Sequence, residues 1–265
     1  MSFIKVGDIQ LAYTDTGVGL PVVLLHGYPF NRSLWNEQVS ALSNSFRVIT
    51  PDLRGLGESE AMPGAVTMNR MAQDVAALLD HLEIPRAVIG GLSMGGYVAL
   101  AFYKLFPSRV RALVLADTRA QADTEEGKQT RHQQAEKALA EGMAGIADGM
   151  LPKLLTPDTV SKRPEIVRRV REMMLKTKPE GAAGALLGMA ERDDNTPLLS
   201  QISCPTLILV GHDDPITPVP DSEKMHREIA GSRLVVLENA AHVSNLERTE
   251  LFNEELLRFL NESAS

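Results

Sequence analysis

Short apolar runs that alternate with helical patterns constrain this chain more than any other feature. The runs are Pro21-Val-Val-Leu-Leu25, Phe46-Arg-Val-Ile-Thr50, Ala87-Val-Ile89, Ala112-Leu-Val-Leu-Ala116, Thr206-Leu-Ile-Leu-Val210 and Leu234-Val-Val-Leu237. A run that is apolar at nearly every position suits a strand covered on both faces. Residues 2–6 and 9–14 instead alternate around Gly7-Asp8 and read as an opening hairpin. Helical spacing is predicted over 33–42, 68–82, 94–106, 220–230 and 247–261; in the second of these Met71, Val75, Leu78, Leu79 and Leu82 form one apolar face. Strand and helix in alternation imply an α/β protein with a mostly parallel central sheet and flanking helices.

One stretch breaks the rhythm. Residues 121–198 hold no convincing strand, are rich in Ala, Glu, Lys, Arg and Met, and carry Pro152, Pro157, Pro164 and Pro179 as dividers between short helices. They read as a helical cap inserted between the sixth and seventh strands, with 1–120 and 199–265 forming the core. Met143, Met150, Met173, Met174 and Met189 lie in this stretch. Most should pack its helices together, although methionine also adapts to irregular apolar pockets.

Composition excludes several classes. With 27 Lys and Arg against 34 Asp and Glu the net charge is −7, and there is no basic run. Nucleic acid and anionic membrane are therefore poor partners, and a small molecule is the expected one. The single cysteine, Cys204, permits no intrachain disulfide and reads as a buried thiol at a strand edge. There is no signal-peptide pattern, and no apolar run approaches the ~20 residues of a spanning helix, so a cytoplasmic location is expected. The chain should be a monomer or small homo-oligomer.

Between the run at 87–89 and the helical pattern at 94–106 lies Gly91-Leu92-Ser93-Met94-Gly95. Alone, G-x-S-x-G is weak: chance supplies it in roughly one chain in ten of this length. Strand, tight turn and helix around it make it a candidate nucleophile elbow. A serine hydroxyl needs a base within reach, and the base needs an acid to hold its tautomer. On a sheet of this kind the chain order is Ser, then Asp or Glu, then His.

The acid should follow the run at 206–210, where the loop reads Gly211-His212-Asp213-Asp214-Pro215-Ile216-Thr217-Pro218. Asp214 is favoured because Pro215 fixes the chain after it. Asp213 is the second candidate and Asp117 the third. His242 follows the last strand and is the expected base; His81 and His226 fall in helices, His132 in the cap, and His212 beside the acid. Two backbone N–H groups should form an oxyanion hole. One is expected from Met94 at a helix N-terminus. The other is expected from Tyr28 in His26-Gly27-Tyr28-Pro29-Phe30, since Pro29 has no N–H. His26 should hold that loop rather than act as a base.

These motifs, with Pro51-Asp-Leu-Arg-Gly-Leu-Gly-Glu-Ser59, resemble the α/β-hydrolase superfamily over nearly the whole chain. Within it, Gly-Leu-Ser-Met-Gly-Gly at 91–96 is similar to the cap-bearing serine esterases and the 3-oxoadipate enol-lactonase-like group. The resemblance implies a Ser93–His242–Asp214 triad, hydrolysis of small carboxylic esters or lactones through an acyl-enzyme, and no cofactor or metal. Leu56 departs from the histidine that relatives often carry in that turn, a position expected to be structural. Serine at 93 argues against dehalogenase and epoxide hydrolase chemistry, which use an aspartate there. A C–C bond hydrolase, a cofactor-free perhydrolase or dioxygenase and a non-enzymatic ligand sensor on the same fold are the competing readings.

Overall fold

Ser2–Val6 (β1) and Ile9–Thr16 (β2) form the expected antiparallel hairpin, turning at Gly7 with φ 58°. The remaining strands are Leu20–Leu25 (β3), Phe46–Pro51 (β4), Ala87–Leu92 (β5), Val110–Ala116 (β6), Thr206–Gly211 (β7) and Arg233–Leu237 (β8). In this computed structural model, which describes residues 1–264, they make one eight-stranded sheet ordered β1-β2-β4-β3-β5-β6-β7-β8. Residue 265, counted with the core above, lies outside the described residues. β2 pairs antiparallel with β4, and every pair from β4 to β8 is parallel.

The helices are Asn36–Leu42 (α1), Met68–His81 (α2), Met94–Leu105 (α3), Glu125–Glu141 (α4), Ala144–Leu154 (α5), Pro157–Lys162 (α6), Pro164–Leu175 (α7), Pro179–Ala190 (α8), Thr196–Leu199 (α9), Val219–Glu228 (α10), Ser244–Glu247 (α11) and Thr249–Ala264 (α12). Successive strand residues point to opposite faces, so the buried runs feed two separate cores. Val23, Leu25, Ile89 and Leu113 pack with Met71, Val75, Leu78 and Phe102 of α2 and α3. Val22, Leu24, Val88 and Val114 pack on the other face with Trp35, Leu42, Phe252 and Leu256. This is the two-sided burial that the apolar runs imply, except in the edge strand β8, where Leu234, Val235 and Val236 are only half-buried.

The helix expected over 33–42 is a 3-10 turn, Arg32–Trp35, followed by α1, and three further differences from the sequence expectation have clear physical reasons. β5 runs on through Gly90 and Gly91, which give no apolar signal; a Cβ on Gly90 would stand 2.9 Å from Leu24 Cδ2. The terminal helix is two, because Arg248 leaves helical geometry with φ −124° and separates α11 from α12. Pro152 does not divide helices but lies inside α5. It sits in the last turn, where its missing N–H costs only one hydrogen bond near an end that frays anyway. Pro157, Pro164 and Pro179 do open helices, at the first position where a missing N–H is harmless.

Six helices, α4 to α9, lie between β6 and β7. The ends of this insertion meet: Asn195 N–H donates to Ala120 O at 2.9 Å and Arg192 to Gln121 O at 2.9 Å. Beneath the core, Arg54 holds Asp74 with two hydrogen bonds of 2.7 and 2.8 Å, both side chains being buried. Among the described residues no helix is long and apolar enough to cross a membrane.

β3 connects to β4 on one side, whereas β5 lies on the other. The chain therefore reverses direction across the sheet between β3 and β5, and a crevice opens at their carboxyl ends. The loop after β3 and the turn after β5 face each other across it.

Candidate active site

Ser93 is the single residue between β5 and α3, with φ 55° and ψ −115°. Side chains other than glycine rarely hold this conformation, and it costs about 1–3 kcal/mol. The surroundings enforce it. A Cβ on Gly91 would fall 2.1 Å from Gly95 O, and one on Gly95 would fall 2.1 Å from Leu25 O, so both positions exclude a side chain. Ser93 N–H donates to Ala116 O at 2.9 Å, and Thr118 Oγ1 donates to Ser93 O at 2.8 Å. The turn is thus tied to β6, and the serine side chain is pushed out of it.

Ser93 Oγ lies 2.8 Å from His242 Nε2, and His242 Nδ1 lies 2.8 Å from Asp214 Oδ2. Ser93, His242 and Asp214 are all buried. With the imidazole proton on Nδ1 donated to Asp214, Nε2 is free to accept the serine proton. Asp214 Oδ1 accepts from the N–H groups of Ile216 and Thr217 at 2.8 and 3.1 Å, and Oδ2 accepts from Thr217 Oγ1 at 2.6 Å. Burial pushes the Asp214 carboxyl up, but His242 and the Thr217 hydrogen bonds outweigh it and hold the group below its ordinary value.

The other two acid candidates are placed differently. Asp213 points into solvent and pairs with His212 at 3.0 Å. Asp117 is fully buried and accepts from Gly211 N–H at 2.8 Å and Ser244 Oγ at 2.6 Å, spanning the acid loop and the base loop. Burial and the Asp214 charge push its carboxyl well up. His26 makes no contact of a base: its Nε2 accepts from Leu53 N–H and its Nδ1 donates to Gly27 O, both at 2.9 Å. His81, His132 and His226 are exposed.

Met94 opens α3, where an N–H has no acceptor within the helix. Across the crevice, a Cβ on Gly27 would come 3.3 Å from Ser93 Cβ, so the Gly27–Tyr28 backbone passes beside Ser93. Phe30 N–H closes this turn onto Gly27 O at 3.0 Å, and the Tyr28–Pro29 peptide is cis. Leu56 is fully buried. Of the insertion's methionines only Met150 lines the cleft described next, and Met143, Met173, Met174 and Met189 are buried. Cys204 is buried beside β7 and its thiol is pushed up to about 11 by that burial.

A cleft of about 360 Å³ opens between the loops after β3 and β7 and the insertion, lined by Tyr28, Ile146, Met150, Ile216, Lys137 and Lys153 but not by Ser93, His242 or Asp214. A larger hollow of about 650 Å³, around Pro205, Arg233 and Phe259, touches none of these catalytic candidates. Among the described residues no group of three or more His, Cys, Asp or Glu side chains is placed to hold a metal ion. Two residues beside the Ser93–His242–Asp214 cluster had no signal of their own in the sequence. Thr217 is one; Glu247, whose carboxylate accepts from Ala241 N–H at 2.6 Å, is the other.

The chain belongs to the α/β-hydrolase fold family, whose model matches residues 21–249. Among its relatives, 3-oxoadipate enol-lactonase 2 of Acinetobacter baylyi is 34% identical over 248 residues, covering 93% of this chain and 91% of that protein. A thermophilic esterase from Thermogutta terrifontis, solved with malate bound, superposes with a TM-score of 0.98 at 43% identity and full coverage of both chains. The enol-lactonase of Burkholderia xenovorans LB400 superposes with a TM-score of 0.92 at 32% identity, covering 98% of this chain and 100% of that one.

Proposed function

We propose that Ser93, His242 and Asp214 are the triad of a carboxylic ester hydrolase that cleaves small esters or lactones through an acyl-enzyme. The observation that carries this reading is the unbroken line of two 2.8 Å hydrogen bonds from Ser93 Oγ through His242 to Asp214. In the first half-reaction Ser93 Oγ attacks the acyl carbon while His242 Nε2 takes its proton. Asp214 holds the imidazole and stabilises its cation. The N–H groups of Tyr28 and Met94 receive the developing oxyanion. His242 then gives the proton to the leaving alcohol; in a lactone that alcohol stays attached to the acyl group. Water then attacks the acyl carbon as His242 takes its proton, and His242 returns that proton to Ser93 Oγ as the acid departs.

The helical segment 121–198 serves as the cap that selects substrate. The cleft between Tyr28, Ile216 and helices α4 and α5 supports a place for this segment at the approach to the site. Esterase and enol-lactonase relatives support the ester and lactone class. The test is a hydrolysis panel of esters of graded acyl length plus several lactones, with Ser93→Ala as control. Turnover of short esters or lactones should fall on the order of 10⁶-fold in Ser93→Ala. Retention of most of the activity by that variant would remove the reading.

A further inference from the structure

The loop that carries His242 is fastened on both sides, and both fastenings lead to the helical insertion. Before the histidine, Ala241 N–H donates to Glu247 Oε2 at 2.6 Å. The other oxygen of that carboxylate accepts from Thr156 N–H and Thr156 Oγ1, each at 2.8 Å. After the histidine, Val243 N–H donates to Leu154 O at 3.2 Å. Leu154 ends α5, and Thr156 caps α6, its hydroxyl oxygen accepting from Thr159 N–H at 3.2 Å. Arg163, between α6 and α7, ties the same corner by donating to Glu247 O at 2.8 Å.

Glu247 is buried, and its carboxylate is matched by three donated hydrogen bonds. A charge placed there costs free energy unless every donor is in place, so the arrangement is demanding in geometry. Of the peptide groups flanking the base, Glu247 holds that of Ala241 and Leu154 O holds that of Val243. A shift of the α5–α6 corner would therefore reach His242 Nε2, whose 2.8 Å contact with Ser93 is the critical distance.

We propose that Glu247 and Thr156 are positioning residues that make the cap part of the general-base assembly. Glu247 latches the His242 loop to the α5–α6 corner, and the cap sets the placement of the base as well as the shape of the cleft. This rests on the triad reading above and extends it to two residues that touch neither the substrate nor the reacting atoms.

The test uses the full chain with p-nitrophenyl acetate, sites being counted by covalent labelling with a small fluorophosphonate, and thermal melting as the check on folding. In Glu247→Gln an amide nitrogen must face one of the N–H donors. Its kcat per labelled site should fall about 10- to 100-fold, with KM unchanged within about twofold. Thr156→Val, which removes the hydroxyl donor, should lose about threefold to tenfold in kcat. Thr156→Ser keeps the donor and should restore kcat to within about twofold of the parent. Ser161→Ala removes a hydrogen bond within α6, to Asp158 O, without touching Thr156 or Glu247 and should leave kcat unchanged. A purely structural role would lower the melting temperature and the number of labelled sites but leave kcat per site intact. Folded Glu247→Gln and Thr156→Val proteins with parental kcat per site would overturn the proposal. If Glu247→Gln does not fold, equal kcat in the Thr156→Val and Thr156→Ser proteins overturns it. Activity that survives Ser93→Ala points instead to failure of the triad reading itself.

Discussion

Asp214→Asn replaces one oxygen by an NH₂ group, and the structure dictates which one. Oδ1 accepts two backbone N–H groups, from Ile216 and Thr217. An amide nitrogen turned toward them would leave buried donors facing a donor, each worth about 1–3 kcal/mol. The carbonyl oxygen of asparagine therefore stays on that side. Its NH₂ takes the Oδ2 position, 2.8 Å from His242 Nδ1. There it donates, so Nδ1 must accept and the imidazole proton moves to Nε2. That nitrogen then points a proton at Ser93 Oγ and cannot take one. The stabilising charge beside the imidazolium is lost as well. The combined loss should be about 10⁴-fold in kcat, equivalent to roughly 5.4 kcal/mol of transition-state stabilisation. Steady-state hydrolysis of p-nitrophenyl acetate by purified variant measures it, with circular dichroism melts to verify the fold. Retention of more than about a tenth of the parental kcat by a folded variant would refute the tautomer argument.

Asp117→Asn supplies the contrast, because its carboxyl is pushed up by burial and by the Asp214 charge. A neutral amide resembles the protonated acid, so kcat should stay within about fivefold. A raised folded-state value means Asp117 favours the fold at low pH and loses that contribution as pH rises through it. The stability of Asp117→Asn relative to the parent should therefore improve as pH rises above about 4, measured by denaturant melts across pH. Arg54→Met strips the buried Asp74 carboxylate of its bidentate partner and should cost about 3–5 kcal/mol in urea unfolding; a loss below about 1 kcal/mol would show the pair to be dispensable. Cys204, with its thiol pushed up to about 11 by burial, should resist an aromatic disulfide reagent in the native protein and react on unfolding; rapid native labelling would contradict that burial.

The order of strands and helices was legible because parallel strands buried on both faces write themselves as continuous apolar runs. The candidates Ser93, Asp214 and His242 were legible from chain order and from their places after β5, β7 and β8, and the fold brings the three side chains together. The strand limits were less so: Gly90 and Gly91 lie in β5 because side chains there would strike neighbouring atoms, a reason no hydrophobic pattern contains. In the sequence only Pro215 favours Asp214 over Asp213, and side-chain direction separates them: Asp214 faces His242 while Asp213 pairs with His212. Glu247 and Thr156 were not legible at all. They are 91 residues apart, and one lies in a segment without a motif, so only the folded chain brings them together beside His242.

The most direct test of the account is to quench turnover of p-nitrophenyl acetate within milliseconds and map the trapped acetyl group by peptide mass spectrometry. The account predicts one acetyl group, on the peptide bearing Ser93, absent from Ser93→Ala and accumulating in step with an initial burst of p-nitrophenol. Acetylation at another residue, or full turnover by the Ser93→Ala protein, would contradict it.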